Sequence, residues 1–136
     1  MTRAGKPITI LVAEDDPDDR LLIEEALREA RLANDLHFVE DGEELIDFLH
    51  HQGDYADRSR SPCPGLILLD LNMPRKDGRE ALAEIKENAR LRRIPVVVLT
   101  TSKAEEDVVR SYDLGVSGFI VKPVQFESFV ELIKAL

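Results

Sequence analysis

The chain has 136 residues, 43% of them apolar, and a formal net charge of −9 from 18 basic and 27 acidic side chains. That length suits a single domain over 1–136 with one real core, and the acidity argues against electrostatic nucleic-acid binding, for which no basic stripe exists. One cysteine excludes an internal disulfide; the first seven residues read as a flexible tail with no apolar leader core. No apolar run approaches the ~20 residues that span a bilayer, so the expectation is a soluble, cytoplasmic protein.

The first predicted element is a strand, Ile8 to Ala13, closed by Glu14-Asp15-Asp16. Pro17 to Leu32 follows with Leu21, Leu22, Ala26, Leu27 and Ala30 at helical spacing. Asp16 is placed to cap this helix, with Pro17 as its first residue and Asp18 and Asp19 in its first turn. A short second strand lies near Leu36 to Val39, and Asp41-Gly42 turns into a helix carrying Leu45, Ile46, Phe48 and Leu49. His50 and His51 fall late in that helix, near its negative end. Gln52 to Gly65, with Gly53, Pro62, Pro64 and Gly65, reads as a long loop. It carries Cys63, whose setting suggests a spectator thiol.

The apolar run Leu66 to Leu69 then ends in Asp70, the third strand. A helix over about Arg79 to Asn88 packs Ala81, Leu82 and Ile85. Pro95 opens a fourth strand, Val96 to Leu99, ending in Thr100-Thr101, and a helix is expected from about Ala104 to Leu114, stopped by Gly115. The fifth strand, Gly118 to Val121, ends in Lys122-Pro123, and Phe126, Phe129, Val130 and Ile133 mark a last helix. Strands joined through helices must run parallel with right-handed crossovers. Near-continuous apolar strands imply helices on both faces. The expected fold is a doubly wound α/β sandwich, flavodoxin-like, with a five-stranded parallel sheet in the order 2-1-3-4-5.

In such sheets ligands bind at the carboxyl ends of the strands. Here those ends carry Glu14, Asp15, Asp70, Thr100 and Lys122. Crowded carboxylates raise each other's pKa and oppose folding unless a cation intervenes. Solvated rim acids balanced only by Lys122 are the bland alternative. Oxygen ligands that leave room for water suit Mg²⁺, which takes one or two carboxylates together with phosphate oxygens. A carboxylate can attack phosphorus and form an acyl phosphate, a reaction that needs positioning and charge neutralisation more than a general base. Asp70, Thr100, Lys122 and Mg²⁺ are enough for it, and none of His37, His50 or His51 lies at a strand end. The Lys122-Pro123 bond reads either as cis, aiming the ammonium back at Asp70, or as an ordinary trans start to the last helix.

Val12-Ala13-Glu14-Asp15, Leu68-Leu69-Asp70-Leu71-Asn72-Met73-Pro74, Leu99-Thr100-Thr101-Ser102 and Phe119-Ile120-Val121-Lys122-Pro123 together resemble the receiver domain of two-component response regulators, from about Ile8 to Leu136. The resemblance implies that Asp70 is the phosphoacceptor. It further implies that Asp15, Asp70 and the Asn72 backbone carbonyl hold Mg²⁺, with Glu14 acting through water. Thr100 and Lys122 would contact the phosphoryl group, Thr100 and Phe119 would form the switch, and the bond before Pro123 would be cis. Phe119 has no hydroxyl to carry a signal, leaving ring rotation. The 52–65 segment, the run Ile94 to Ser102, Glu105-Glu106-Asp107 and Ser111-Tyr112-Asp113-Leu114 look like the stand-alone receivers that partner phytochrome-type histidine kinases. A sensor histidine kinase, such as a bacteriophytochrome, is the expected partner. With the chain ending at the last helix, no output domain is expected. Val108, Val109, Tyr112, Phe126, Phe129, Val130 and Ile133 read either as core packing or as a homodimer face made by the fourth helix, fifth strand and fifth helix; the resemblance favours the dimer.

Other readings fare worse. A Mg²⁺-dependent phosphatase working through an aspartyl phosphate places a second acid two residues past the nucleophile, where this chain has Asn72. A flavodoxin-like nucleotide or flavin binder would need a phosphate-cradling loop after the first strand, where Glu14-Asp15-Asp16 would repel phosphate. A receiver that acts only as a scaffold would have no use for an intact Asp70, Thr100 and Lys122. Fold alone does not separate these readings.

Overall fold

In the computed structural model, described over residues 8–30, 33–57, 61–73, 75–111, 115–125, 127–128 and 130–131, five strands rich in β-branched and leucine side chains pair in parallel. They are β1 (Ile8–Ala13), β2 (Ala33–Val39), β3 (Leu66–Asp70), β4 (Val96–Thr100) and β5 (Gly118–Val121). Their order is β2-β1-β3-β4-β5, the doubly wound sheet expected from the alternating pattern. The second strand starts three residues earlier than its apolar core suggests, because Ala33 and Asp35 pair with Ile8 and Thr9 across a register shift. Ladder bonds to the β1 backbone outweigh the polar side chains of that segment.

Period-two alternation sends successive side chains to opposite faces, where two separate cores form. Ile10, Val12, Leu66, Leu68, Val97 and Leu99 pack with Ile23, Ala26 and Leu27 of α1 (Pro17–Ala30). Leu11, Ala13, Ile67, Leu69, Val96 and Val98 pack against α2 (Gly42–His50) and α3 (Gly78–Glu87) through Leu45, Phe48, Leu49, Ala81, Leu82 and Ile85. Every residue of β3 and β4 is buried, which explains why those strands read as unbroken apolar runs. Burying each such leucine or valine contributes about 1.5–3 kcal/mol.

The helices start where side-chain caps allow. Asp16 Oδ1 accepts from the amides of Asp18 and Asp19 at the head of α1, as its position in the sequence implies. Asp41 caps α2 through the Glu44 amide. Asp77 and Glu80 form a reciprocal capping box on α3, so that helix begins at Gly78, one residue before the expected start. Gly78 is obligatory for space as well: a Cβ there would lie 2.6 Å from Leu71 Cα and against the Asp70 carbonyl. The fourth helix, α4, is Lys103–Ser111; the expected extension to Leu114 lies outside the described residues. Glu127, Ser128, Val130 and Glu131 are helical.

Two expectations about the middle of the chain need correction. His51 does not continue α2. It takes a left-handed conformation with φ of 56° just past the helix, and its Nδ1 lies 2.9 Å from the Ser61 hydroxyl. The segment after it is not wholly irregular, because Gly53–Tyr55 form a 3-10 turn. Ser61 is buried and donates to the Tyr55 carbonyl, tying the far end of the segment back to this turn.

Candidate functional site

The strand order reverses between β1 and β3, and the crevice beyond their carboxyl ends is where this architecture binds ligands. Sheet pairing runs on past the strands into this crevice. The Glu14 amide donates to the Val39 carbonyl at 3.0 Å, and the Lys122 amide to the Thr100 carbonyl at 2.8 Å. Backbone bonds of the sheet therefore place Glu14 and Lys122 on either side of Asp70.

Lys122 is the centre of charge. Its Nζ lies 2.6 Å from Glu14 Oε1, 3.1 Å from Asp70 Oδ2 and 3.1 Å from Asp19 Oδ2. The Lys122-Pro123 bond is cis, the alternative that the family resemblance favoured. Burial works against the charged ammonium, but the hydrogen bonds it donates to Glu14 and Asp19 and the field of Asp70 outweigh it and hold the Lys122 pKa above its ordinary value. Glu14, with none of its surface exposed, is pushed the other way. Burial, helped by the charge of Asp70, raises its carboxyl pKa to about 7 against the pull of Lys122 and the Asp16 amide. These are the opposed effects of desolvation and neighbouring charge.

Asp70 ends β3 almost fully buried. One carboxylate oxygen accepts from the Asn72 amide at 3.1 Å and the other faces Lys122. Oxygens of Glu14, Asp15 and Asp70 lie within 4.8 Å of one another. Asp15 is exposed, and both Glu14 oxygens are already engaged, by Lys122 and by the Asp16 amide. An all-oxygen set with one open side fits a hard divalent cation that keeps part of its water shell. Thr100 is fully buried, and its hydroxyl has no hydrogen-bond partner among the described residues. Such an orphan costs about 1–3 kcal/mol and suits an acceptor supplied from outside. Phe119 pairs in register with Val98 and is half-buried against the α2–α3 core.

The structure thus brings together Glu14, Asp15, Asp70, Asn72, Thr100 and Lys122. Three participants were not picked out from the sequence. Asp19 reads there only as a first-turn acid of α1, yet it is the third partner of Lys122. Arg20 donates from Nε to the Glu14 carbonyl at 2.6 Å and stacks over the Phe38 ring, 5.3 Å from its centroid. Glu105 accepts from the Asn72 carboxamide across the mouth of the crevice. Only Ser102-Lys103-Ala104-Glu105 carries a local signal, that of a helix capping box. The expected dimer-face residues lie outside the described residues apart from Val130, which is half-buried, and the backbone of Val108 and Val109 in α4.

A parallel sheet of this order with acids, a threonine and a lysine at its carboxyl edge defines a phosphoacceptor domain of signal transduction. The chain belongs to the response regulator receiver domain family, matching it over residues 10–134. It is similar to the response regulator Rcp1 of Synechocystis sp., with 45% identity over 98% of this chain and 88% of that one. A solved structure of Rcp1 in its Mn²⁺-bound form aligns over 94% of this chain and 90% of that one, with a TM-score of 0.77. The bacteriophytochrome response regulator RtBRR aligns over 96% of this chain and 78% of that one, with 43% identity and a TM-score of 0.91. The phosphorylated cyanobacterial phytochrome response regulator RcpA aligns over 95% and 90%, with 43% identity and a TM-score of 0.78. The chain is therefore a two-component response regulator, a phosphoacceptor related to phytochrome response regulators, of a family that binds a divalent metal and works with histidine kinases. Among the described residues no helix is long and apolar enough to cross a membrane.

Proposed function

We propose that Asp70 accepts a phosphoryl group from the phosphohistidine of a phytochrome-type sensor kinase. In the step, an Asp70 carboxylate oxygen bonds to phosphorus as the phosphorus–nitrogen bond breaks and its electron pair returns to imidazole. The observation that carries the reading is the pairing of a buried Asp70, held between Lys122 and the Asn72 amide, with the buried Thr100 hydroxyl, which has no hydrogen-bond partner among the described residues. A phosphoryl oxygen supplies an acceptor.

Asp15, Asp70 and the Asn72 backbone carbonyl would hold Mg²⁺, with Glu14 acting through water because its own oxygens are engaged. When bound, the cation neutralises charge that develops on the transferring phosphoryl oxygens. Lys122 offsets negative charge beside Asp70, and Thr100 donates a hydrogen bond to a phosphoryl oxygen. Drawing Thr100 toward that oxygen leaves room on the β4–β5 side for Phe119 to turn inward. The change alters the surface made by α4, β5 and the last helix, which we also assign to a homodimer. Two states a few kcal/mol apart suffice for phosphorylation to shift their populations. The receiver speeds its own phosphorylation and dephosphorylation without turning over a separate substrate, and acts as a single domain in the cytoplasm.

Incubation with acetyl phosphate and Mg²⁺ followed by intact mass tests the assignment. The wild-type chain gains one phosphate and Asp70→Asn gains none. Equal gain by both proteins would refute Asp70 as the acceptor.

A further inference from the structure

Glu105 sits in the first turn of α4, where Ser102-Lys103-Ala104-Glu105 has the form of a capping box. Half of the box is made: the Ser102 hydroxyl accepts from the Glu105 amide at 3.2 Å. The Glu105 carboxylate is used differently. Its Oε1 accepts from the Thr101 amide at 3.2 Å, and its Oε2 accepts from Asn72 Nδ2 at 3.0 Å. Arg79, in the first turn of α3, lies 3.6 Å from the same Oε2 and offsets the charge. The Glu105 side chain is only 14% exposed, while its partners Asn72 and Thr101 stand at the surface.

One carboxylate thus bridges the two loops that flank the phosphoacceptor. Asn72 is two residues beyond Asp70, and its backbone amide holds Asp70 Oδ1. Thr101 follows Thr100, the residue with the orphan hydroxyl. We propose that Glu105 is a positioning residue that sets the lifetime of the acyl phosphate by restraining the Asn72 carboxamide. The inference rests on Asp70 being the phosphoacceptor.

The chemistry is hydrolysis of a mixed anhydride. Water adds to phosphorus, the bond from phosphorus to the Asp70 oxygen breaks, and its electron pair remains on Asp70 as carboxylate. Both water hydrogens leave with phosphate as the dihydrogen anion. A neighbouring carboxamide can orient the attacking water by accepting one of its protons in a hydrogen bond and donating to its oxygen. One Nδ2 hydrogen is held by Glu105, so the Asn72 carboxamide cannot turn freely to aim its oxygen and its second N–H at that water. Releasing it makes the attack easier.

The test is a lifetime measurement in two backgrounds. Wild type, Glu105→Ala, Asn72→Ala and the double variant are charged with acetyl phosphate and Mg²⁺, desalted, and followed by intact mass. Glu105→Ala shortens the half-life roughly threefold or more in the Asn72 background and leaves it unchanged when residue 72 is already alanine. Glu105→Gln, which keeps one acceptor oxygen, falls between wild type and Glu105→Ala. A half-life that is unchanged or longer in Glu105→Ala, or that shifts equally in both backgrounds, overturns the restraint and leaves the phosphoacceptor assignment intact. Failure of the wild-type chain to take phosphate overturns both.

Discussion

Three carboxylates converge on the single ammonium of Lys122, and the charge balance there governs the site. Removing one member of a buried charge cluster leaves the others desolvated and uncompensated. Lys122→Met should lower unfolding stability by roughly 3–5 kcal/mol at neutral pH without Mg²⁺, and by less once Mg²⁺ is added; urea titrations in chelator and in excess Mg²⁺ give both values. Glu14 makes the metal-free protein sensitive to pH. Its folded pKa is raised from 4.5 to about 7, so its contribution to stability is fully present below the unfolded pKa. That contribution is withdrawn as pH climbs through the folded one. Between pH 5 and 8 the metal-free wild type should lose about 1–3 kcal/mol relative to Glu14→Gln. Parallel stability curves for the two proteins would show that Glu14 titrates as an ordinary carboxylate. Asp70, Thr100 and Lys122 stand out in the sequence because each closes an apolar run. Asp19 does not, because its role depends on how the head of α1 lies over the end of β5.

At the scale of elements, the site depends on how closely α3 approaches β3. Gly78 permits the contact, since a Cβ would meet Leu71 Cα at 2.6 Å and press on the Asp70 carbonyl. That backbone belongs to Asp70, the proposed phosphoacceptor. Gly78→Ala should therefore cost about 1–3 kcal/mol of stability and slow phosphorylation by acetyl phosphate, whereas Glu87→Ala at the exposed end of the same helix should change neither. Most elements were legible from apolar periodicity and capping residues, the first and fifth strands without displacement and others with an end displaced by up to three residues. The larger departures have tertiary causes. Pairing with β1 extends β2 into Ala33 and Asp35. The Ser61 hydroxyl meets His51 just beyond α2 and holds the following segment. Neither partner is near the other in sequence, so no local pattern announces the contact.

For the whole molecule, the doubly wound sheet brings acids from two strands to one edge, and a cation that binds them stabilises the folded state by mass action. At a hundredfold excess of Mg²⁺ over its dissociation constant the gain is about 2.7 kcal/mol. Thermal unfolding should show this rise in wild type and a much smaller one in Asp15→Asn; equal rises would place the cation elsewhere. Light scattering at micromolar concentration, before and after phosphorylation, tests the homodimer, and a monomer mass in both states would refute it. The alternation of buried strands and amphipathic helices, and the acids, threonine and lysine at the strand ends, were determined by the sequence alone, because burial periodicity and chain connectivity restrict a βα repeat to few arrangements. Only the tertiary structure decided that Asp19 completes the Lys122 cluster, that Arg20 secures the Glu14 carbonyl and that Glu105 reaches Asn72. Those contacts depend on strand register and on the angle at which each helix leaves the sheet, which are set by packing across the whole domain.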